Sequence, residues 1–407
     1  MFGGLFCGCV DNVGTGANAK VKKRKSHVKA SQTKPTAHVL GKTKKTTRST
    51  ATHREVHRDM PVSYASDCSG IDAAAVALEE LGFGPIDHLW ASDSFAPCRA
   101  MLQHNFAPAQ LLDDVFEVPS TMKQPDLYTA GFPCQPYSKQ GRQEGEHDER
   151  SQPLWGVVSR IESCRPKTFI LENVDKFLSP RYSIIYEQLV NSLCNIKDDG
   201  KRAYDLHVKV LDSQHHGSAQ HRPRVYFVGV LRSHKTANFR WPAELLETPK
   251  LSAILDAAFE GEAKWPTSAT GLSGICRAYE ALVQQGEDPE GGHWVANIFN
   301  SETYGANARQ NLLPCLTLRR GTQGGFWLFA RNRMLSQTEL ARCQGFPAGR
   351  LKRPAKGVSE CQLGGMYGNA MNVDTMMRIL VRLLPSVGIA SHLQDRWGDS
   401  SIPVDCL

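Results

Sequence analysis

The sequence predicts an α/β fold, an open doubly wound sheet interrupted late in the chain by a small irregular unit. Three observations carry this prediction. Short apolar runs alternate with amphipathic stretches from about residue 62 to residue 231. An acidic residue recurs at the end of successive runs, and the run Asp126–Phe132 leads into a cysteine, Cys134, held between Pro133 and Pro136. Each proline removes a backbone donor and pre-sets φ, so the segment must leave the sheet as a stiff turn at the strand's carboxyl end. That edge is where open α/β sheets place their chemistry. A cysteine there is read either as a small buried core residue or as a nucleophile.

Composition narrows the class. With 407 residues, 41% of them apolar, the chain can bury a substantial core. Twelve cysteines are scattered without a CxxC pair, which argues against zinc modules and a disulfide framework and for a reducing compartment. No apolar run reaches the roughly 18 residues of a membrane span, and the N-terminus lacks a basic-then-apolar leader, so a soluble intracellular protein without a membrane partner is expected. The net charge of +7 is uneven: residues 1–60 hold thirteen Lys or Arg against Asp11, Glu55 and Asp59, a balance of +10 that leaves −3 for the rest. Within the body, residues 300–357 carry ten Lys or Arg against Glu302 and Glu339, a candidate nucleic-acid face.

Taken in order, residues 1–58 are rich in Lys, Ser, Thr, Ala and Gly without helical or strand period, which predicts a basic disordered arm. Lys22-Lys23-Arg24-Lys25 and Lys42-Thr43-Lys44-Lys45 inside it look like nuclear-import clusters; an import receptor and any polyanion are the partners this composition fits. Val62–Ser66 then reads as a strand, Asp67–Gly70 as a tight turn and Ile71–Leu81 as a helix. Gly70 lets the backbone close on a ligand, and the helix start presents unpaired N–H groups. This is a Rossmann-like opening, although with a single glycine in the turn an ordinary βα turn fits as well. The next strand, His88–Ser92, ends in Asp93, where a carboxylate can hold ribose hydroxyls, and a third run ends in Asp113-Asp114-Val115.

Lys139–Pro153 is almost wholly polar and reads as a functional loop, a lid with Gly141 and Gly145 as hinges. Thr168–Leu171 forms a strand that delivers Glu172 to the same edge as Cys134. Helix Ser183–Cys194 and strands Leu206–Leu211 and Val225–Leu231 continue the alternation, and Arg222 and Arg224 before the last strand need anionic or carbonyl partners. From Arg232 to Leu313 regularity stops, apart from short helices at Leu251–Phe259 and Gly274–Gln285. It returns with Cys315–Leu318, a capping box of Ser336 and Glu339, the pair Gly368-Asn369 and the helix Val373–Leu384. Asp395–Leu407 reads as a loose tail.

Five of these pieces, Gly131–Ser138 (GFPCQPYS), Glu172-Asn173-Val174, Gln220-x-Arg222-x-Arg224, Arg333–Pro347 and Gly368-Asn369, together resemble the cytosine-5 DNA methyltransferases over residues 62–384. The resemblance implies a Rossmann-like methyltransferase sheet with a small irregular target-recognition domain. It divides the chain into the arm (1–58), a first catalytic part (59–231), the recognition domain (232–313), a return segment completing the catalytic domain (314–390) and the tail (391–407). S-Adenosylmethionine is the implied cofactor, with Ser69, Gly70 and Ile71 at its methionine end, Asp93 at its ribose, Asp114 and Val115 at its adenine, and Pro133 and Asn369 closing the pocket. Double-stranded DNA is the implied substrate, which suits the nucleus and chromatin regulation. Cys134 would add to C6 of a flipped-out cytosine, Glu172 would bond N3 and the exocyclic amine, and Arg224, supported by Arg222, would hold O2. Gln135, Ser138 and Arg150 would contact the base or backbone. No metal is implied.

The chain departs from the family pattern at Cys68, where many members have Phe, and at Asp72, in place of a glycine. Two other readings stay open: a tRNA cytosine-5 methyltransferase on the same scaffold, and a catalytically silent DNA-binding regulator.

Overall fold

The computed structural model describes residues 61–133, 152–257, 265–300 and 307–398. The expectations for the basic arm and its import clusters, for Cys134, Gln135, Ser138 and Arg150, and for the loop Lys139–Ser151 lie outside the described residues.

Seven strands form the main sheet: β1 (Ser63–Asp67), β2 (Asp87–Ser92), β3 (Leu111–Leu112), β4 (Leu127–Ala130), β5 (Thr168–Val174), β6 (Tyr204–Asp212) and β7 (Pro223–Leu231). Their spatial order is β3-β2-β1-β4-β5-β7-β6, with the first five parallel and β7 antiparallel to both neighbours. The sheet is wound on both faces because each strand alternates. Tyr64, Leu127, Ile170, Tyr226 and Val228 enter one core, and Ala65, Tyr128, Phe169, Leu171, Val225 and Phe227 enter the other. Helices α1 (Ala73–Glu80) and α2 (Ala96–Asn105) serve the first core, and α3 (Gln152–Cys164) and α4 (Ser183–Asn195) the second.

The alternation predicted for the last two strands resolves into a hairpin. Its reversal at residues 213–222 has a functional result: β7 starts where β5 ends, with Val174 opposite Arg224 and Glu172 opposite Tyr226. Helix α2 has no side-chain cap and was not expected; Pro97 in its first turn costs no hydrogen bond there. Helix α3 already includes Gln152 and Pro153, the end of the predicted polar loop.

The stretch expected to be irregular contains a regular unit. Helix α5 (Ala269–Gln284) covers an antiparallel sheet of β8 (Trp294–Asn297), β9 (Asn307–Gln310), β10 (Phe326–Leu328) and β11 (Arg333–Met334), in the order β9-β8-β10-β11. Ala296, Ile298, Trp327 and Phe329 face α5, while Val295, Phe326 and Leu328 face the main core. Strands of two to four residues are too short to show a period in sequence, which is why they read as loop. The sheet crosses the expected boundary at 313/314, and Phe239, Leu251 and Leu255, from before it, pack in the main core.

The return segment adds α6 (Leu318–Gln323), α7 (Gln337–Cys343), α8 (Glu360–Asn369) and α9 (Val373–Ser386). The capping box of α7 forms as expected, and Glu339 also takes both nitrogens of the buried Arg333, at 2.6 and 2.7 Å. Helices α6 and α8 meet at Gly321 and Gly364, where a Cβ on either would overlap the other's backbone.

The described part of the tail is docked, not loose. Asp395 is buried and pairs with Arg378 of α9 at 2.8 Å, and the Trp397 ring lies on Gly217, where a Cβ would stand 2.7 Å from it. Single partners so distant in sequence leave no local signature. The late basic segment is also split. Arg350 pairs with Glu79 in the last turn of α1, and Lys352 is tied to Asn105 at the end of α2. Both helices leave the strands' carboxyl edge and end at the opposite one, so this part of the segment lies at the edge away from Asp93 and Glu172 and does not join one continuous nucleic-acid face.

Candidate active site

The turn after β1 is built around a sequence of unusual backbone states: Cys68, Gly70 and Asp72 have φ of 49°, 58° and 52°. Only the glycine does so without steric cost. Asp72 offsets its cost with its own carboxylate, which caps Ala75 N at 3.1 Å and accepts from the Tyr64 hydroxyl at 2.6 Å and the Ser66 hydroxyl at 3.0 Å. A glycine could do none of this, so the departure at Asp72 is a helix cap built into a buried polar cluster. His88 stands 3.6 Å from the same carboxylate, its pKa lowered by burial.

The acids at the strand ends converge on this turn. Asp93 accepts from Gly70 N at 2.8 Å and Phe95 N at 2.9 Å, and burial raises its carboxyl above the usual range. Burial, and then the carboxylates of Asp67, Asp93 and Asp114, push the Cys68 thiol well up, which makes it a poor nucleophile. A Cβ on Gly70 would meet nothing within 4 Å, so the turn opens onto free space. An acidic cradle with an open, glycine-relieved backbone suits a ligand carrying a sulfonium, an ammonium and ribose hydroxyls, and each carboxylate keeps lone pairs beyond those used here. Ser69 anchors the turn to Ser92. Ile71 is 1% exposed, and its side chain packs in the core. Val115 is likewise buried, and Asn369 is exposed on the last turn of α8.

Beside the cradle lies the proton-handling end. Glu172, on β5, is buried and held by Arg224 Nε at 3.0 Å. Burial raises its carboxyl above the ordinary value, against the opposing pull of Arg224 and, secondly, Arg222. Gly131 joins the two ends: a Cβ there would stand 3.9 Å from both the Cys68 carbonyl oxygen and Glu172 Oε2, and 3.2 Å from Met371 Cε. Asn173 Nδ2 donates to the Phe132 carbonyl at 3.1 Å, fixing the chain two residues before Cys134. Pro133 is the last described residue of that approach.

Arg222 is not aimed at a base. Fully buried, it donates to the carbonyls of Leu316 (2.6 Å), Gly368 (3.1 Å) and Ala370 (2.7 Å), and so staples the return segment to β7. Gln220 does the same, through Leu316 N and Cys343 O. Both arginines also face the sulfur of Cys315, at 3.7 and 3.8 Å, a residue the sequence did not mark. Among the described residues no group of three or more His, Cys, Asp or Glu could hold a metal, and no helix is long and apolar enough to cross a membrane.

The sequence model of the C-5 cytosine-specific DNA methylases matches residues 62–384, which is most of the chain. The chain belongs to this family. Its relatives include the Type II methyltransferase M.DsaV of Dactylococcopsis salina, 24% identical over 80% of this chain and 87% of that one. M.HaeII of Haemophilus aegyptius is 28% identical over 80% and 93%. The fold is shared with the Dnmt2 methyltransferase of S. pombe (TM-score 0.53, 18% identity, 80% of this chain and 99% of that one). It is shared too with the methyltransferase EhMeth of Entamoeba histolytica (0.55, 15%, 80% and 98%). As a C-5 cytosine-specific DNA methylase the chain is a DNA methyltransferase, and S-adenosylmethionine is its methyl donor. The acidic cradle fits that donor, with Ser69, Gly70, Asp93 and Asp114 the residues that would hold it.

Proposed function

We propose that this chain methylates C5 of a flipped-out cytosine in duplex DNA through a covalent adduct between Cys134 and C6. One observation carries the reading: the Glu172–Arg224 pair, the Cys68 turn and the approach to Cys134 meet at Gly131. Cytosine C5 is a weak nucleophile until electrons enter the ring. The Cys134 thiolate forms the S–C6 bond, and Glu172 gives its proton to N3 as negative charge develops there. Arg224 faces O2 and stabilises the same charge. Bound S-adenosylmethionine supplies an electrophilic methyl group, which C5 takes up. Removal of the C5 proton, return of the N3 proton to Glu172 and elimination of the thiolate then restore the ring.

Arg222 acts here by holding the return segment that frames Arg224. The α5 unit and its small sheet form the recognition module, and Arg319, exposed at the start of α6 and four residues after Cys315, is its phosphate contact nearest the site. The flipping itself takes a few kcal/mol of unstacking, about the scale that such contacts return.

The test is transfer of labelled methyl groups to duplex DNA and, in parallel, to tRNA, by wild type and Cys134→Ala. Incorporation into DNA that vanishes in the variant supports the reading, as does a denaturant-resistant complex of wild type with duplex containing 5-fluorocytosine. Incorporation into tRNA alone would move the same chemistry to RNA. Cofactor binding without transfer to either would leave a silent regulator.

A further inference from the structure

Three acid-bearing turns make the cofactor cradle, and they are not equally supported. The turn after β1 and the one after β2 leave central strands. The third, Asp113–Glu117, leaves β3, an edge strand of two residues that pairs with β2 only at Ala91–Leu111 and Ser92–Leu112. Two residue pairs cannot fix a loop that must hold a carboxylate in place. Arg99 of α2 pairs with the exposed Asp113 at 2.8 Å, and the buried support comes from Arg160 on α3.

Arg160 is 4% exposed. Its Nη2 donates to the carbonyls of Val115 at 2.8 Å and Glu117 at 2.6 Å, and its Nε bonds Asp67 Oδ2 at 3.0 Å. Asp67, fully buried at the end of β1, also accepts from Ser92 Oγ at 2.6 Å and the Tyr128 hydroxyl at 2.8 Å. One guanidinium therefore ties the third turn to the ends of β1 and β2 and, through Asp67, to Tyr128 of β4. One turn earlier on α3, Gly156 lets the helix come against Val115, where a Cβ would stand 2.8 Å from Val115 Cγ1. The planar fork matters here: an ammonium has no rigid pair of donors with which to reach a carboxylate on one side and two carbonyls on the other.

We propose that Arg160 is a positioning residue for the cofactor: it fixes the Asp114 turn and so sets affinity for the adenine end of S-adenosylmethionine. The proposal rests on Asp114 meeting the adenine. It assigns to the buried face of α3 a task that no motif in the sequence marked, and it locates that task at one hydrogen-bonded node.

The experiment compares wild type, Arg160→Lys and Asp114→Ala by calorimetry with 5′-methylthioadenosine, which carries the adenine and lacks the amino acid, and by turnover with S-adenosylmethionine. For Arg160→Lys the methylthioadenosine Kd and the S-adenosylmethionine KM rise about tenfold, the effect of roughly one charge-assisted hydrogen bond. At saturating cofactor kcat, its pH profile and cofactor-free DNA binding stay at wild-type values. A merely structural role would lower kcat and DNA binding together with the folded fraction and leave the Kd of the folded molecules alone; that result overturns the proposal. If Asp114→Ala leaves methylthioadenosine binding unchanged, the adenine reading itself fails. If Asp114→Ala weakens it and Arg160→Lys does not, only the role of Arg160 fails. Should Arg160→Lys not fold, the isosteric Asp67→Asn takes its place: a smaller rise in the same Kd is expected, and an unchanged Kd overturns the proposal.

Discussion

At the residue scale, the arginines of one short motif have parted company. Arg222 immediately precedes β7 and Arg224 is its second residue, so the two guanidinium groups leave the chain within two positions of one another. Their tasks nonetheless differ, because Arg222 finds three carbonyls within reach and Arg224 finds Glu172. The consequence can be read in pH. Glu172 must be protonated to give N3 its proton, and burial lifts its carboxyl, so the active fraction falls as pH rises through that raised pKa. Arg224 opposes the lift; replacing it by Gln therefore moves the alkaline limb of kcat to higher pH while lowering the rate. Glu172→Gln removes the limb and lowers kcat by about 10² to 10⁴, the usual worth of a positioned acid. Single-turnover rates across pH decide it, and an alkaline limb that stays in place in Arg224→Gln would uncouple the two residues. Glu172, Arg224 and the approach to Cys134 were all legible in the sequence, because residue type and position at a strand end suffice to mark them. The roles of Arg222 and Arg160 were not: a guanidinium bound to carbonyls of remote segments has the same local sequence as one facing a ligand.

At the element scale, the C-terminal strap Leu393–Gly398 joins two parts of the catalytic body. Arg378 of α9 holds Asp395 and also donates to the His215 carbonyl, at 3.2 Å, in the reversal that leads to Arg222 and Arg224. Its Nη1 lies 2.9 Å from His216 Nδ1, and burial, with Arg378 close by, holds that imidazole neutral with its pKa lowered to about 3. A buried pair broken on one side leaves an uncompensated charge, which costs about 3–5 kcal/mol. Asp395→Asn, which keeps the shape and loses the charge, is thus expected to lower the urea midpoint with an unchanged m-value. An unchanged midpoint would mean that the strap contributes nothing to stability. The strap escaped sequence reading because its order comes from single contacts with Arg378, 17 positions back, and with Gly217, far earlier in the chain, and no local period announces them.

At the scale of the whole molecule, charge is distributed by topology and not by position along the chain. Residues 300–357 look like one basic segment, yet Arg319, in the first turn of α6, follows closely on Cys315, which faces Arg222 and Arg224, while Arg350 and Lys352 sit at the far ends of α1 and α2. Arg319→Ala should weaken DNA binding across sequences and reduce the salt slope of log K by about one. Lys352→Ala and Arg353→Ala should leave both unchanged; equal effects from the two sets, measured by salt titration of duplex binding, would place DNA on both edges of the sheet. The sequence by itself determined the doubly wound fold, the acids at the strand ends and the family, since each rests on a local period or on residue types at fixed spacing. Tertiary structure alone decided that β6 and β7 form a hairpin that returns Arg224 to Glu172, that Asp72 caps a helix within a buried cluster, that a four-stranded sheet is assembled across residues 294–334, and that Arg160 ties the Asp113–Glu117 turn to Asp67. These are pairings between distant segments, selected by which buried donors and apolar faces can satisfy one another once the chain is compact, and a linear pattern does not encode that choice.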